Sequence, residues 1–222
     1  MAPQQPPQPS LPPQYQLHLM ATGHYLSRAL FVATKIGIAD LLAKAPRDAT
    51  ELASETKTNP GALRRLMRLL VTHGVFDEDT QGRFSLTPLS ECLRSGVPGS
   101  ARSAVLLFAG GTQDAWGELM YCVETGNPAY RKSGATNAFE NIAKNPETAA
   151  NFDEAMAEST RMTAVAVAAA YNFSEFGSVA DLGGGNGALL IGILRAHPKL
   201  RGIVYDLPHV IERAADRKRR IV

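Results

Sequence analysis

Apolar residues recur at helical spacing from Tyr15 onward. Leu17, Met20, His24 and Leu30-Phe31 mark one broad stripe, and Ile38 with Leu41-Leu42 marks a second, shorter one. The spacing predicts two helices, and the first is apolar on so many faces that it must be buried, in its own domain or against a partner chain. Asp48 followed by Glu51 has the spacing of a capping box. Asn59-Pro60 opens a further helix with proline at its tolerated first position. Leu63, Leu66, Met67, Leu70 and Val71 form its buried stripe, and Gly74 ends it. The stretch "VFDEDTQGRFSLT" then reads as two strands with a turn over residues 79–82. Helix, turn, helix and wing make a winged-helix pattern.

Residues 88–144 read as short helical pieces broken by glycines, and Asn145-Pro146-Glu147 opens a long helix running to about Tyr171. After "NFSEFGS" come an apolar strand, the glycine turn "DLGGGNG", a helix closed by Pro198, and the strand "GIVYDLP". Strand, helix and strand in series predict a βαβ unit whose strands are of the buried, parallel kind. The chain thus divides into a tail over 1–14, a helical and winged-helix part over 15–110, connecting helices over 111–175, and a βαβ part over 176–222. The fold class expected is a mainly α N-terminal winged-helix domain followed by the start of an α/β, Rossmann-like domain.

Composition changes this picture little. Six prolines and three glutamines within residues 1–13 predict an extended, disordered tail. A hydrophobic content of 45%, a charged content of 20% and a net charge of +2 are ordinary for a globular protein and give no pull toward nucleic acid or membrane. Cys92 and Cys122 form no metal-ligand spacing, so a reducing cytoplasm is the expected location. The first residues lack the basic and apolar regions of a signal peptide, and no apolar run reaches the ~20 residues that span a bilayer.

The glycine turn carries the chemistry. Glycines let a backbone approach a ligand closely, and the following helix directs free N–H groups and a partial positive charge at it. Asp206 ends the next strand nineteen residues after Gly187, where a carboxylate in a βαβ unit can accept both ribose hydroxyls. Two cofactors fit. Gly183, Gly185 and Ala188 satisfy the dinucleotide pattern, while Gly183, Gly185 and Gly187 satisfy G-x-G-x-G with an acid, Asp181, two residues before the first glycine. The second pattern favours S-adenosylmethionine (SAM), because an acid there can hold an ammonium group that NAD lacks.

Other candidates are weaker. Arg64, Arg65 and Arg68 could read DNA from the second helix of the winged-helix segment, but the wing is acidic where a DNA reader would be basic. Phe152, Met156 and Thr160 share one face of the long helix, as a core stripe or as a wall over the cofactor. None of the five histidines has an acidic partner at recognisable spacing; His197 and His209 read as loop residues beside prolines, and His73 as a helix C-terminal residue. The basic run over 213–220 reads as a solvated face.

Taken in order, these segments resemble the SAM-dependent O-methyltransferases of the plant caffeate and bacterial polyketide-tailoring type. The resemblance runs from about Leu17 to Ala215. It rests on "ATKIGIADLLA", "LRRLMRLLVTHGVF" with "GRFSLTPLSECL", "AWGELMYCVETGNPAY", "NPETAANFDEAMAEST" and, most specifically, "VADLGGGNGALLIGILRAHPKLRGIVYDLPHVIERA". It implies an N-terminal domain that forms a homodimer and does not read DNA, with its first helices lining the partner's substrate pocket. It implies that SAM is the cofactor. Gly183 and its neighbours Asp181, Gly184, Gly185 and Gly187 would serve its methionine part and Asp206 its ribose, Leu207 would also bind it, and Phe152, Met156 and Thr160 would cover it. Serine is usual in the family where Thr160 stands, and threonine where Asn186 stands. The acceptor implied is a small hydroxylated aromatic or polyketide-type compound. Family members continue well past "DLPHV" into a segment that carries a catalytic histidine, and no residue here matches it. The resemblance therefore implies a C-terminally truncated chain, folded poorly beyond Phe173 and without activity of its own. Two further readings stand beside this one: a non-catalytic dimer partner of a full-length methyltransferase, and a winged-helix DNA-binding regulator.

Overall fold

The computed structural model describes residues 11–215. Most of the proline-rich tail and of the C-terminal basic run lies outside these residues. The chain divides between Leu89 and Ser90 into two compact units.

The first unit begins with α1 (Pro13–Lys35), which has a proline in its first turn, and the short α2 (Ile38–Leu42), entered through Gly37 at φ +74°. The capping box forms as the spacing predicts: Asp48 Oδ1 accepts from the amides of Thr50 and Glu51, and Glu51 accepts from the amide of Asp48. It opens α3 (Ala49–Thr56), which ends at Lys57 in the left-handed region. The Asn59 side chain caps α4 (Pro60–Thr72), whose Leu63, Met67 and Leu70 are buried. The strands β1 (Phe76–Glu78) and β2 (Phe84–Leu86) pair antiparallel, with Asp77 opposite Ser85. Asp79 builds their turn by accepting from the amides of Gln81 and Arg83. Phe76, Phe84, Ile38, Leu52, Met67 and Leu70 are fully enclosed and form the core of this unit.

Helix α1 meets the expectation of burial only at its C-terminal end, where Ala29, Ala33 and Thr34 are buried. Tyr15, Leu17, Leu19, Met20 and Tyr25 are all at least half exposed.

Short helices follow: α5 (Pro88–Glu91) at the division, then α6 (Arg102–Leu106), a π-helical turn over Leu107–Gly111, α7 (Thr112–Trp116), α8 (Leu119–Thr125) and α9 (Ala138–Ala143). Asn145 caps α10 (Pro146–Ala170). The βαβ unit forms with its strands parallel, as predicted. β3 (Ser178–Leu182) and β4 (Arg201–Tyr205) have Asp181 opposite Val204 and Leu182 opposite Tyr205, and α11 (Ala188–Ala196) connects them. The strands are not buried as expected: Leu182, Ile203 and Tyr205 are more than half exposed, because among the described residues α10 and α11 cover one face of the two strands only. Phe173, Ile193 and Leu200 are buried, and Val167, Val179 and Leu194 pack against them. Two glycines set the layer spacing. A Cβ on Gly192 would lie 2.5 Å from Ala164 Cβ, and one on Gly202 would lie 2.7 Å from Leu194 Cδ1. Bare backbone at these points lets α11 sit close to both α10 and β4.

Of the two histidines read as loop residues, His197 lies just past α11 as its non-helical C-cap, with its ring centroid 5.5 Å from that of Phe173, and His209 differs from that reading. His209 falls in the backbone of α12 (Pro208–Ala215), which proline opens with a φ already suited to a helix.

Candidate cofactor site

The glycine turn is built by the ends of β3 and β4. The Gly183 amide donates to Tyr205 O at 2.7 Å, continuing the parallel ladder past the last strand pair. The chain then turns through Gly183 at φ +73° and Gly185 at φ +56°, where other residues would be strained. Gly187, at φ +75°, is the N-cap of α11, and its amide donates to Gly184 O at 2.8 Å. It brings no side chain to the helix start.

Asp206 closes the turn from the other strand. Its Oδ2 accepts from the Gly185 amide at 2.8 Å, and its Oδ1 accepts from the Leu207 amide at 2.7 Å.

A cavity of about 500 Å³ opens above the turn, within the usual ~300–1,000 Å³ range for small-molecule sites. Gly183, Gly184, Gly185, Asp206 and Leu207 form its floor, and Phe152, Met156 and Thr160 of α10 form a wall. Thr160 Oγ1 donates to Met156 O at 2.7 Å, so its methyl group and the Met156 side chain present a mostly apolar surface. Gly187 and Asp181 are not part of the lining. Gly187 acts one step back, as the helix cap. Asp181 lies behind Gly184: a Cβ on Gly184 would be 2.7 Å from Asp181 Cγ. Burial, and then the neighbouring Asp206 carboxylate, push the Asp181 carboxyl above the usual carboxylate range.

Several lining residues escape the sequence reading. Phe139 and Ile142 come from α9, and Phe139 meets Phe152 edge to face at 6.0 Å. The available signal is Asn137, whose side chain accepts from the Glu140 amide and so marks the start of that helix. Asp153 and Ala157 extend the same α10 face by one position from Phe152 and Met156. Asp153 and Asp206 are the charged residues of the lining among the described residues, and both are acidic. A second cavity, of about 750 Å³, shares Ile142, Phe152 and Met156 with the first and is otherwise bounded by Phe108, Ala115 and Tyr130 among others.

In the first unit, Glu78 of β1 pairs with Arg64 at 3.8 Å and with Arg68 at 3.4 Å. Two of the three α4 arginines thus have their charge met within the winged-helix segment.

Comparison with known proteins matches residues 18–96 to an O-methyltransferase dimerisation domain and residues 116–221 to an O-methyltransferase domain. The phenazine O-methyltransferase PhzM of Lysobacter antibioticus is 42% identical over 198 residues, which are 89% of this chain and 58% of that protein. The crystal structure of LaPhzM superposes with a TM-score of 0.88 at 42% identity, covering 93% of this chain and 62% of that one. Human N-acetylserotonin methyltransferase, solved in complex with SAM, superposes with a TM-score of 0.85 at 26% identity, covering 95% of this chain and 64% of that one. The chain therefore spans about three fifths of the length of these relatives.

Proposed function

The chain belongs to the O-methyltransferase family, and on that premise we propose that it holds SAM above the glycine turn and serves methyl transfer to a hydroxyl of a small aromatic or polyketide-type acceptor. The observation that carries this reading is the charge of the cavity. Its lining places Asp153 and Asp206 around a glycine turn. Acidic groups there complement a ligand with sulfonium and ammonium charges and oppose the pyrophosphate of a dinucleotide.

The residues fit that ligand. The positions where Gly183 and Gly185 would carry a Cβ are open space, so a ligand can lie directly on the backbone. Gly183, Gly184 and Gly185 would bind the methionine part. Each Asp206 oxygen keeps an accepting position beyond its backbone bond, enough for the two ribose hydroxyls. Leu207, Phe152, Met156 and Thr160 would shield the site from water. When bound, SAM would supply an electrophilic methyl group for an acceptor oxygen, the new O–C bond forming as the C–S bond breaks and S-adenosylhomocysteine leaves. The second cavity adjoins the first through Ile142, Phe152 and Met156, so an acceptor held there would lie beside that methyl group. Positioning of this kind is worth ~7–11 kcal/mol of barrier. Among the described residues no histidine lines either cavity, and the base that removes the hydroxyl proton is not assigned.

The half-exposed apolar side chains of α1 support a homodimer formed through the N-terminal helices. The same face would also let the chain pair with a longer methyltransferase as a non-catalytic partner. The pairing of Arg64 and Arg68 with Glu78 disfavours a DNA-binding role. Among the described residues no helix is long and apolar enough to cross a membrane. Cys92 and Cys122 are in no disulfide, which fits the reducing cytoplasm proposed as the location.

Calorimetric titration with SAM tests the reading. Saturable binding that weakens on Asp206→Ala is expected, and no binding at millimolar SAM to the wild-type chain would overturn the reading. Transfer of a labelled methyl group to hydroxyphenazines or simple phenols then tests turnover, and co-purification with a longer methyltransferase separates the partner reading from the enzyme reading.

A further inference from the structure

SAM and its product S-adenosylhomocysteine share an ammonium group, a carboxylate, a ribose and a base. They differ at one atom: the sulfur of SAM carries a methyl group and a positive charge. An acidic lining attracts the ammonium group of both, so selection between them depends most on what surrounds the sulfur.

The two cavities limit where that atom would lie. Transfer requires the methyl group where they meet, and Ile142, Phe152 and Met156 line both. The sulfur is one bond from the methyl group, so it would stand on the first-cavity side of these residues. Phe139 lines that side and takes no part in the lining of the second cavity. It is carried in the first turn of α9, which the Asn137 side chain caps by accepting from the Glu140 amide at 2.9 Å. Its side chain is 64% exposed, so the ring contributes little to the core and is open to a ligand.

The Phe139 ring centroid is 6.0 Å from that of Phe152, with 84° between the ring planes. Two rings so placed form a corner, and an occupant of that corner meets the face of each. Aromatic faces carry negative charge density, and a cation within about 6 Å of a ring centroid is attracted to it.

We propose that Phe139 and Phe152 form an aromatic corner that recognises the sulfonium charge of SAM and so favours SAM over S-adenosylhomocysteine. The proposal rests on the reading that SAM occupies this cavity, and it deepens that reading by naming the residues that sense the reacting sulfur. Once the methyl group has moved, the sulfur is neutral and its attraction to the rings is lost, which favours exchange of the product for fresh SAM.

Calorimetric titration with SAM and with S-adenosylhomocysteine tests the corner in the wild-type chain, Phe139→Leu and Phe139→Tyr. Leucine keeps an apolar side chain but has no aromatic face, so the ratio of the two affinities isolates the charge. Phe139→Leu should weaken SAM by roughly three- to tenfold and leave S-adenosylhomocysteine within about twofold of wild type. Phe139→Tyr keeps the face and should keep the wild-type ratio. Phe152→Leu should lower the ratio in the same direction, and it decides the matter if Phe139→Leu does not fold. Equal weakening of both ligands in Phe139→Leu would make the ring an apolar wall and overturn the proposal. No change in either ligand, or a ratio lost in Phe139→Tyr as well, would overturn it too. A wild-type chain that binds neither ligand is a separate failure: it removes the cofactor reading itself, and the aromatic corner with it.

Discussion

Asp206 Oδ2 accepts the amide hydrogen of Gly185 at 2.8 Å, across a sequence separation of 21. The bond ties the end of β4 to the middle of the glycine turn. It sets the turn before any ligand arrives and leaves the carboxylate facing the cavity. Asp206→Ala should therefore lose both the turn geometry and the ribose acceptor. A charge-assisted hydrogen bond of this kind contributes ~1.5–3 kcal/mol, so SAM affinity should fall by roughly 10–100-fold. Asp206→Asn keeps one acceptor and should fall between the two. Calorimetry on the three proteins checks this, and equal affinity in Asp206→Ala would remove Asp206 from the site.

Much of this arrangement is legible in the sequence because local chemistry fixes it. The Asp48–Glu51 spacing can satisfy two sets of amides, and both bonds form. Asn59-Pro60 and Asn145-Pro146 each cap and open a helix. Apolar runs either side of "GGGNG" force strand, turn and helix into one order. Side-chain direction is less legible. Spacing to the first glycine places Asp181 beside the turn, whereas the two-residue alternation of β3 puts it on the α11 side with Val179. The α9 wall was missed because Phe139 and Ile142 lie far from the turn in sequence. Only the fold of the loop before α10 brings them over it. Helix α1 is a third case, since its apolar faces announce burial along its whole length whereas Tyr15, Leu17 and Met20 are more than half exposed.

The contact between Gly192 and Ala164 fixes how closely α10 and α11 approach. A Cβ on Gly192 would lie 2.5 Å from Ala164 Cβ, so Gly192→Val must push the helices apart. Overpacking of this sort costs ~1–3 kcal/mol, and urea unfolding should show it. Adding Ala164→Gly should restore part of the loss by vacating the space. A double variant no more stable than Gly192→Val would mean that the cost arises elsewhere.

Lys57 holds φ +54° at the end of α3, and among the described residues it is the non-glycine residue with positive φ. That conformation costs ~1–2 kcal/mol in a residue with a Cβ. Part of the gain from glycine is offset by greater freedom in the unfolded chain. Lys57→Gly should still raise stability by about 0.5–1 kcal/mol, seen as a higher urea midpoint at unchanged slope. A lower midpoint would show that the lysine side chain makes a stabilising contact of its own.

Glu158 on α10 gives stability a pH dependence of defined sign. Its Oε2 is enclosed without a hydrogen-bond partner. Burial first, and the Glu154 carboxylate second, push its carboxyl above the usual range, while Arg161 and the Ala104 amide pull the other way. The folded state thus holds the Glu158 proton more tightly than the unfolded chain does. The group favours folding at acid pH, and that contribution is lost as the pH rises from the ordinary glutamate value, ~4.3, through the raised one. Glu140 works in the opposite direction, since hydrogen bonds from Thr136 hold its carboxyl below the usual range, so the net profile of the protein mixes both. Comparison with Glu158→Gln isolates one group, because glutamine matches glutamate closely in size and carries no charge. The variant should be at least as stable as wild type near neutral pH, and the difference should shrink as the pH falls toward ~4. Urea midpoints of the two proteins across that range check the sign. A wild type that gains on the variant as the pH rises would show Glu158 to be stabilised in its ionised form.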